Sequence, residues 1–367
     1  MARTPLALPD FPWDALVPFG NTARQHPGGI VDLSVGSPVD PTPAVIRDAL
    51  ATATDAHAYP QTAGTVELRE AIVAWFARRR GVDDLSVANV LPSIGSKELI
   101  AWLPLMLGIG RGDVVVQPSV AYPTYAIGAA LAGATVLASD DPAEWPENTR
   151  LVWINSPGNP DGRVLGVDGL RAAVARAREL GAIIASDECY AELAWEGEVP
   201  TPSILDPRVI AGDRDSVLAV YSLSKQSNLA GYRAGFVAGC SNLVGELLAA
   251  RKHAGLIPPA PVQAAMVAAL GDDDHVSAQR ELYRARRTKL VAALERAGFR
   301  IDHSEAGLYL WATRGQDAWA TVADLAEHGI LVVPGSFYGD NAPQHVRVAF
   351  TVTDERLDAA VERLAAL

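Results

Sequence analysis

The 367-residue chain is 49% hydrophobic and carries a formal net charge of −12. It can bury a large core but offers no basic surface to a nucleic-acid backbone. Its two cysteines, Cys189 and Cys240, are too few for a disulfide framework or a zinc site. They read as small buried apolar residues, and a reducing cytoplasm is the expected home.

In chain order, the opening MARTPLALPDFPWDAL lacks the unbroken apolar stretch of a signal peptide, and no run reaches membrane-spanning length. Residues 1–40, rich in proline and glycine, read as an extended arm. GTVELREAIVAWFARRRG has helical period, with Val66, Ile72, Val73 and Phe76 near one face and Glu67, Arg69, Glu70 and Arg78 solvated. VLPSIGSKELIAWL passes from a strand through Gly95 and Ser96 into a helix. Short apolar runs then recur between helical stretches: DVVVQP, ATVLAS, RLVWINSP, AIIASDE, SVLAVYS and AGFVAG. Such runs, flanked by glycine and proline, fit strands buried on both faces of a mostly parallel sheet. This predicts an α/β fold with helices on both sides, spanning residues 41–245. From 246 to 367 the pattern changes to long helices with the strands GLYLWAT, GILVVPG and HVRVAF. A smaller α+β domain is expected there, joined by the arm, with a linker near 241–260.

In a parallel α/β sheet the ligand sits beyond the carboxyl ends of the strands. Those ends carry Asn155 and Asn159 (INSPGNPDG), Asp187 and Tyr190 (ASDECY), and Ser222, Ser224 and Lys225 (YSLSK), with Arg233 opening the next strand. The Gly95–Ser96 junction leaves helix N–H groups free to bind phosphate, and Ser222 and Arg233 add a hydroxyl and a fixed cation. A lysine between buried strands needs a partner or a reaction. Beside a phosphate site, Lys225 suits a Schiff base with the aldehyde of pyridoxal 5′-phosphate. That cofactor needs a carboxylate at its ring nitrogen, which suits Asp187. Tyr190 and Asn159 suit the ring oxygen, and Tyr122 in AYPTY suits the ring face.

With these motifs the chain resembles the class I and II aminotransferases, fold type I pyridoxal-phosphate enzymes, from about DLSVGSPVDPTP to its end. The resemblance implies a large domain with a seven-stranded sheet plus a smaller domain. It implies that Lys225 of SLSK binds the cofactor covalently and that Ser222 and Arg233 hold its phosphate. Asp187 and Tyr190 of DECY would meet the ring nitrogen and ring oxygen, and Asn159 of the NPxG motif the ring oxygen. Where the family often has threonine, this chain has Asp161. The resemblance further implies that Arg347 of HVRVAF clamps the substrate α-carboxylate and that Gly36 of LSVGSP lies on the arm that closes over substrate. Tyr59 of HAYPQTAG would reach the phosphate of a partner subunit, implying a homodimer with shared active sites. GSKEL, FPWDAL and SLSKQSNLAGYR are most similar to actinobacterial N-succinyldiaminopimelate aminotransferases. Lys97 in GSKE is a candidate for the phosphate or a distal carboxylate.

The cofactor motifs do not separate amino transfer from other chemistry on the same scaffold, such as carbon–sulfur β-lysis. A ligand-sensing regulator of this fold would carry an N-terminal DNA-binding domain, and the short, non-basic arm argues against it. A nicotinamide dehydrogenase is disfavoured because no GxGxxG follows a first strand.

Overall fold

The computed structural model describes residues 8–195 and 201–367; the first seven residues of the expected arm lie outside them. Among the described residues, thirteen strands form three sheets. They are β1 (Val31–Asp32), β2 (Val90–Ile94), β3 (Val114–Gln117), β4 (Thr135–Ala138), β5 (Thr149–Asn155), β6 (Ile183–Asp187), β7 (Val217–Ser222), β8 (Ala234–Gly239), β9 (Arg300–Asp302), β10 (Tyr309–Thr313), β11 (Ile330–Leu331), β12 (Val333–Pro334) and β13 (His345–Ala349).

The large sheet has the order β2-β8-β7-β6-β5-β3-β4. All its neighbours run parallel except β8, which is antiparallel to both β2 and β7. Side chains alternate between the faces, as strand geometry requires. Val152, Ile154, Val217 and Ala219 pack on one face with the helices Val66–Trp75, Val167–Glu179 and Ala260–Gly271. Leu151, Trp153, Leu218 and Val220 pack on the other with Gly95–Met106, Thr124–Ala132 and Ser241–Ala254. The seven strands expected from the apolar runs are all present. ATVLAS is the exception to two-sided burial: β4 is an edge strand, and Thr135 and Ala138 are exposed.

The smaller sheet, β12-β13-β10-β9, is antiparallel and is backed by Asp274–Arg296 and Asp354–Leu364. GILVVPG splits between two sheets, because β11 leaves to pair with β1 of the arm. β9, in FRIDHS, is too short and too charged to stand out as an apolar run.

Three expectations need correction. The arm is not extended throughout: Pro12–Leu16 is a 3-10 helix and Val17–Arg24 an α-helix, packed on the small-sheet core through Leu16. Proline at a first helical turn starts a helix as readily as it breaks one. The face of Val66–Trp75 is also shifted, since Val66 is exposed while Leu68, Ile72, Trp75 and Phe76 are buried. Thr65 caps this helix by accepting from Leu68 N at 3.2 Å, which sets its register. Finally, residues 241–271 form two helices packed on the large sheet rather than a linker. The two-domain division remains a proposal, and the packing moves its boundary from 245/246 to about residue 272.

A wider turn at Phe76–Arg80 carries Arg80 into the core, where it donates to Glu188 at 3.2 Å. Both side chains are almost fully buried, and Glu188 also accepts from Ile204 N at 2.7 Å and Ser203 Oγ at 3.1 Å. Removing one member of such a pair strands the other charge. Glu188→Ala is therefore expected to lower stability by about 3–5 kcal/mol, read as a fall in the urea midpoint at constant m-value. No helix among the described residues is long and apolar enough to cross a membrane.

Candidate active site

The carboxyl ends of the large sheet and the end of the small sheet face one cavity of about 990 Å³. Its floor owes its arrangement to the antiparallel strand. Because β8 runs backward, its amino-terminal end lies beside the carboxyl ends of β2 and β7, with Ile94 opposite Ala234 and Ser222 opposite Gly235. Arg233, one residue before β8, is thereby brought to Ser222 and to the start of the helix Gly95–Met106.

That helix start has no side-chain cap, so its first amides remain open. Gly95 has φ +71, and a Cβ there would lie 2.5 Å from Arg233 Nη2; glycine is needed for both reasons. Arg233 is itself left-handed (φ 57) and donates from Nη1 to Ala230 O at 2.8 Å. Ser222 Oγ donates to Ser224 Oγ at 2.8 Å. Ser96, Lys97, Ser222 and Arg233 all line the cavity, whereas Gly95 does not. Together these groups form an anion cradle of backbone N–H, hydroxyl and guanidinium.

Asp187 ends β6 in register with Asn155 of β5. It is 5% exposed, accepts from Tyr125 Oη at 2.9 Å and from Cys189 N at 3.2 Å, and has no cation at ion-pair distance among the described residues. Burial pushes its carboxyl up, against the pull of those donors. A buried acid with no charge partner fits a cationic ring nitrogen. Tyr122 lines the same region, edge-on to Tyr125 at 5.8 Å. Asn155, though at a strand end, serves the loop: its Oδ1 accepts from Asn159 N at 2.8 Å and its Nδ2 donates to Asp187 O at 3.0 Å. Asp161 does not line the cavity; its Oδ1 accepts from Arg163 N at 3.2 Å within the loop.

Lys225 follows β7 on a turn, half-buried, and its Nζ donates to Gly36 O of the arm. Arg347 lies on the inner strand β13, opposite Trp311 of β10. Its Nη1 donates to Asn159 Oδ1 at 3.0 Å and its Nη2 to Ser34 O at 2.6 Å, while Nε is buried and unpartnered. The guanidinium carbon is 3.9 Å from the Tyr309 ring centre and 5.1 Å from that of Tyr338, so two aromatic faces hold the fork. Gly36 packs so closely on Tyr309 that a Cβ would overlap its hydroxyl. Tyr59 is fully exposed and does not line this cavity.

Residues 29–364 match the family model described as aminotransferase class I and II. The chain belongs to the class I and II aminotransferases. Among similar members is 4-dedimethylamino-4-oxo-anhydrotetracycline transaminase OxyQ of Streptomyces rimosus, 56% identical over 97% of this chain and 99% of that one. Another is the Mycobacterium tuberculosis protein named "Probable aminotransferase Rv1178", 58% identical over 98% of this chain and 85% of that one. The structure of N-succinyldiaminopimelate aminotransferase from Mycobacterium tuberculosis superposes with a TM-score of 0.87 at 28% identity, covering 96% of each chain. Class I and II aminotransferases use pyridoxal phosphate. The anion cradle and the uncompensated acid of Asp187, at separate points of one cavity, fit that cofactor.

Four neighbours of the site escaped the sequence reading. Tyr125 stands three residues after Tyr122 in AYPTY, at the spacing of one helical turn, and this was a readable signal. Cys189 lies inside the DECY motif, and its sequence signal is that of a small core residue. Tyr309 and Tyr338 carry no local signal, since only the approach of the small sheet brings them to Arg347.

Proposed function

We propose that this aminotransferase exchanges an amino group between glutamate and N-succinyl-2-amino-6-oxopimelate, in a diaminopimelate route to lysine. Arg347 is the observation that carries the amino-acid half of this reading: it is a buried cation on a cavity wall, stacked on tyrosine, whose forked geometry matches an α-carboxylate. The cavity volume and the exposed Lys97 at its wall support a long, acidic substrate. The likeness to an N-succinyldiaminopimelate aminotransferase supports the acyl group.

Bound pyridoxal phosphate supplies an aldehyde that condenses with amines and a protonated ring that draws electrons from the substrate α-carbon. The open helix start, Ser222 and Arg233 would hold its phosphate, and Asp187 its ring nitrogen. Tyr190 and Asn159 would meet its ring oxygen, and Tyr122 its face. Lys225 would hold the cofactor covalently until substrate arrives. Freed by substrate, its Nζ would take the proton from the substrate α-carbon and hold it for return. Arg347 and Asn159 would hold the substrate carboxylate and orient its α-carbon toward Lys225. Tyr59, fully exposed on one chain, would complete the phosphate site of a second subunit in a homodimer.

Arg347→Ala is expected to raise KM for both amino-acid substrates about 10–100-fold, with a smaller fall in kcat. Steady-state kinetics with each substrate in turn checks this. One observation favours a second reading, a polycyclic ketone acceptor. The wall formed by Phe11, Trp13 and Phe337 is apolar and aromatic, with ring centres 5.6 and 5.4 Å apart, and OxyQ is 56% identical. The deciding experiment loads the enzyme with the amine form of the cofactor, adds keto compounds singly and follows the returning visible band. The succinylated oxo acid should react fastest. Faster reaction of a 4-oxo polycyclic ketone would move the assignment to the second reading, and no response to either would overturn both.

A further inference from the structure

The ring of Tyr309, which opens β10, holds Arg347, but its hydroxyl takes no part in that contact. Tyr309 is 4% exposed, and its ring lies 3.9 Å from the Arg347 guanidinium carbon. A phenylalanine would stack there equally well, so packing does not require the hydroxyl. That hydroxyl lies 3.2 Å from the Tyr190 hydroxyl, with the two rings edge to face at 5.8 Å. It also occupies the space that any side chain at Gly36 would need.

Each phenol has a single proton. If Tyr190 spends its proton on Tyr309, none is left for the cavity. If Tyr309 donates to Tyr190, the Tyr190 proton is free to point at a ligand. The acceptor that Tyr190 faces decides the direction. Burial pushes the Tyr309 phenol up, but the cations Arg347 and Lys225 favour its ionised form and hold it below its ordinary value. Burial, with Tyr309 beside it, pushes Tyr190 well above. An ionised ring oxygen can only accept, so with Tyr190 placed at it the proton between the two hydroxyls, 3.2 Å apart, is that of Tyr309. The other titratable groups acting on the pair are Cys189, Tyr122, Tyr283 and Tyr338, all themselves neutral at pH 7 because burial pushes each one up.

We propose that Tyr309 is a positioning residue: it donates its hydroxyl proton to the Tyr190 oxygen and so commits the proton of Tyr190 to the ring oxygen of the cofactor. The relay rests on the placement of Tyr190 at that oxygen. A chain of two such bonds is stronger than either alone, because each donor polarises the next. A firmer bond to the ring oxygen drains its negative charge and lowers the proton affinity of the neighbouring nitrogen that links Lys225 to the cofactor. Tyr309 therefore tunes the pH at which the visible band of the holoenzyme changes.

The test is a spectrophotometric pH titration of that band, without substrate, in wild type, Tyr309→Phe, Tyr190→Phe and the double variant. Tyr309→Phe keeps the ring and its stacking on Arg347, and an unchanged urea midpoint and near-UV spectrum confirm that the fold is intact. The transition should rise by about half a pH unit in Tyr309→Phe. It should rise further in Tyr190→Phe, and Tyr309→Phe should add nothing in the Tyr190→Phe background. If Tyr190→Phe leaves the transition in place, the placement of Tyr190 is wrong and the relay falls with it. If Tyr190→Phe moves it and Tyr309→Phe does not, the placement stands and the relay alone is overturned. Equal shifts from Tyr309→Phe with and without Tyr190 also overturn the relay, because the effect would then be direct.

Discussion

Replacing Lys225 by alanine is expected to cut turnover by about 10⁴-fold or more while leaving the cofactor able to bind. The lysine stands on the turn after a fully buried strand, between Ser224 and Gln226, which are themselves buried, so its backbone position is fixed. Its side chain lines the cavity, and Gly36 O of the arm accepts a hydrogen bond from its amine. In the proposed reaction that one amine does two jobs. It holds the cofactor before substrate arrives and then moves the α-proton. A positioned general base is worth about 10²–10⁴ by itself, and loss of the amine-exchange route adds to that. Borohydride reduction followed by peptide mass analysis checks the assignment. The wild type should yield one cofactor-bearing peptide containing Lys225, and the variant none. A labelled lysine elsewhere would refute the covalent role.

How far the site was legible depended on whether each group sits on one strand end or is assembled by packing. Asp187, Asn159, Ser222 and Lys225 end apolar runs, and the rule that ligands lie at carboxyl strand ends pointed at the cavity they now line. Arg233 was legible as a strand start, but its approach to Gly95 depends on β8 running antiparallel, which a short apolar run does not disclose. Arg347 was legible only through resemblance. Its stacking on Tyr309 and Tyr338 comes from β-pairing and a loop far away in sequence. The arm was misread for a different reason: proline and glycine content signals irregular chain, yet Pro12 and Pro18 sit in first helical turns, where proline is tolerated. Which sheet the helices of residues 241–271 cover is not written in their own sequence. Only packing shows that Leu247 and Met266 join the large core.

Asp187→Asn should divide stability from function. With saturating cofactor, turnover is expected to fall about 10²–10³-fold and cofactor affinity to weaken, because the neutral amide no longer holds the ring nitrogen protonated. Asparagine preserves shape: its Oδ1 can accept from Cys189 N while its Nδ2 donates to the Tyr125 hydroxyl, so packing loss does not explain such a fall. Without cofactor the effect reverses. Burial raises the folded-state pKa of Asp187 above its unfolded value. Its contribution to stability is then full below the unfolded pKa and is lost as pH rises through the folded one. At neutral pH the cofactor-free protein therefore bears a strained or neutralised acid, and asparagine removes that cost. Urea unfolding of the cofactor-free forms should show the variant more stable than wild type at pH 7, with the difference shrinking toward pH 4. A variant that is less stable at pH 7 and equally active with saturating cofactor would show that Asp187 is a structural acid held by Tyr125 and Cys189, and that the ring nitrogen has another partner.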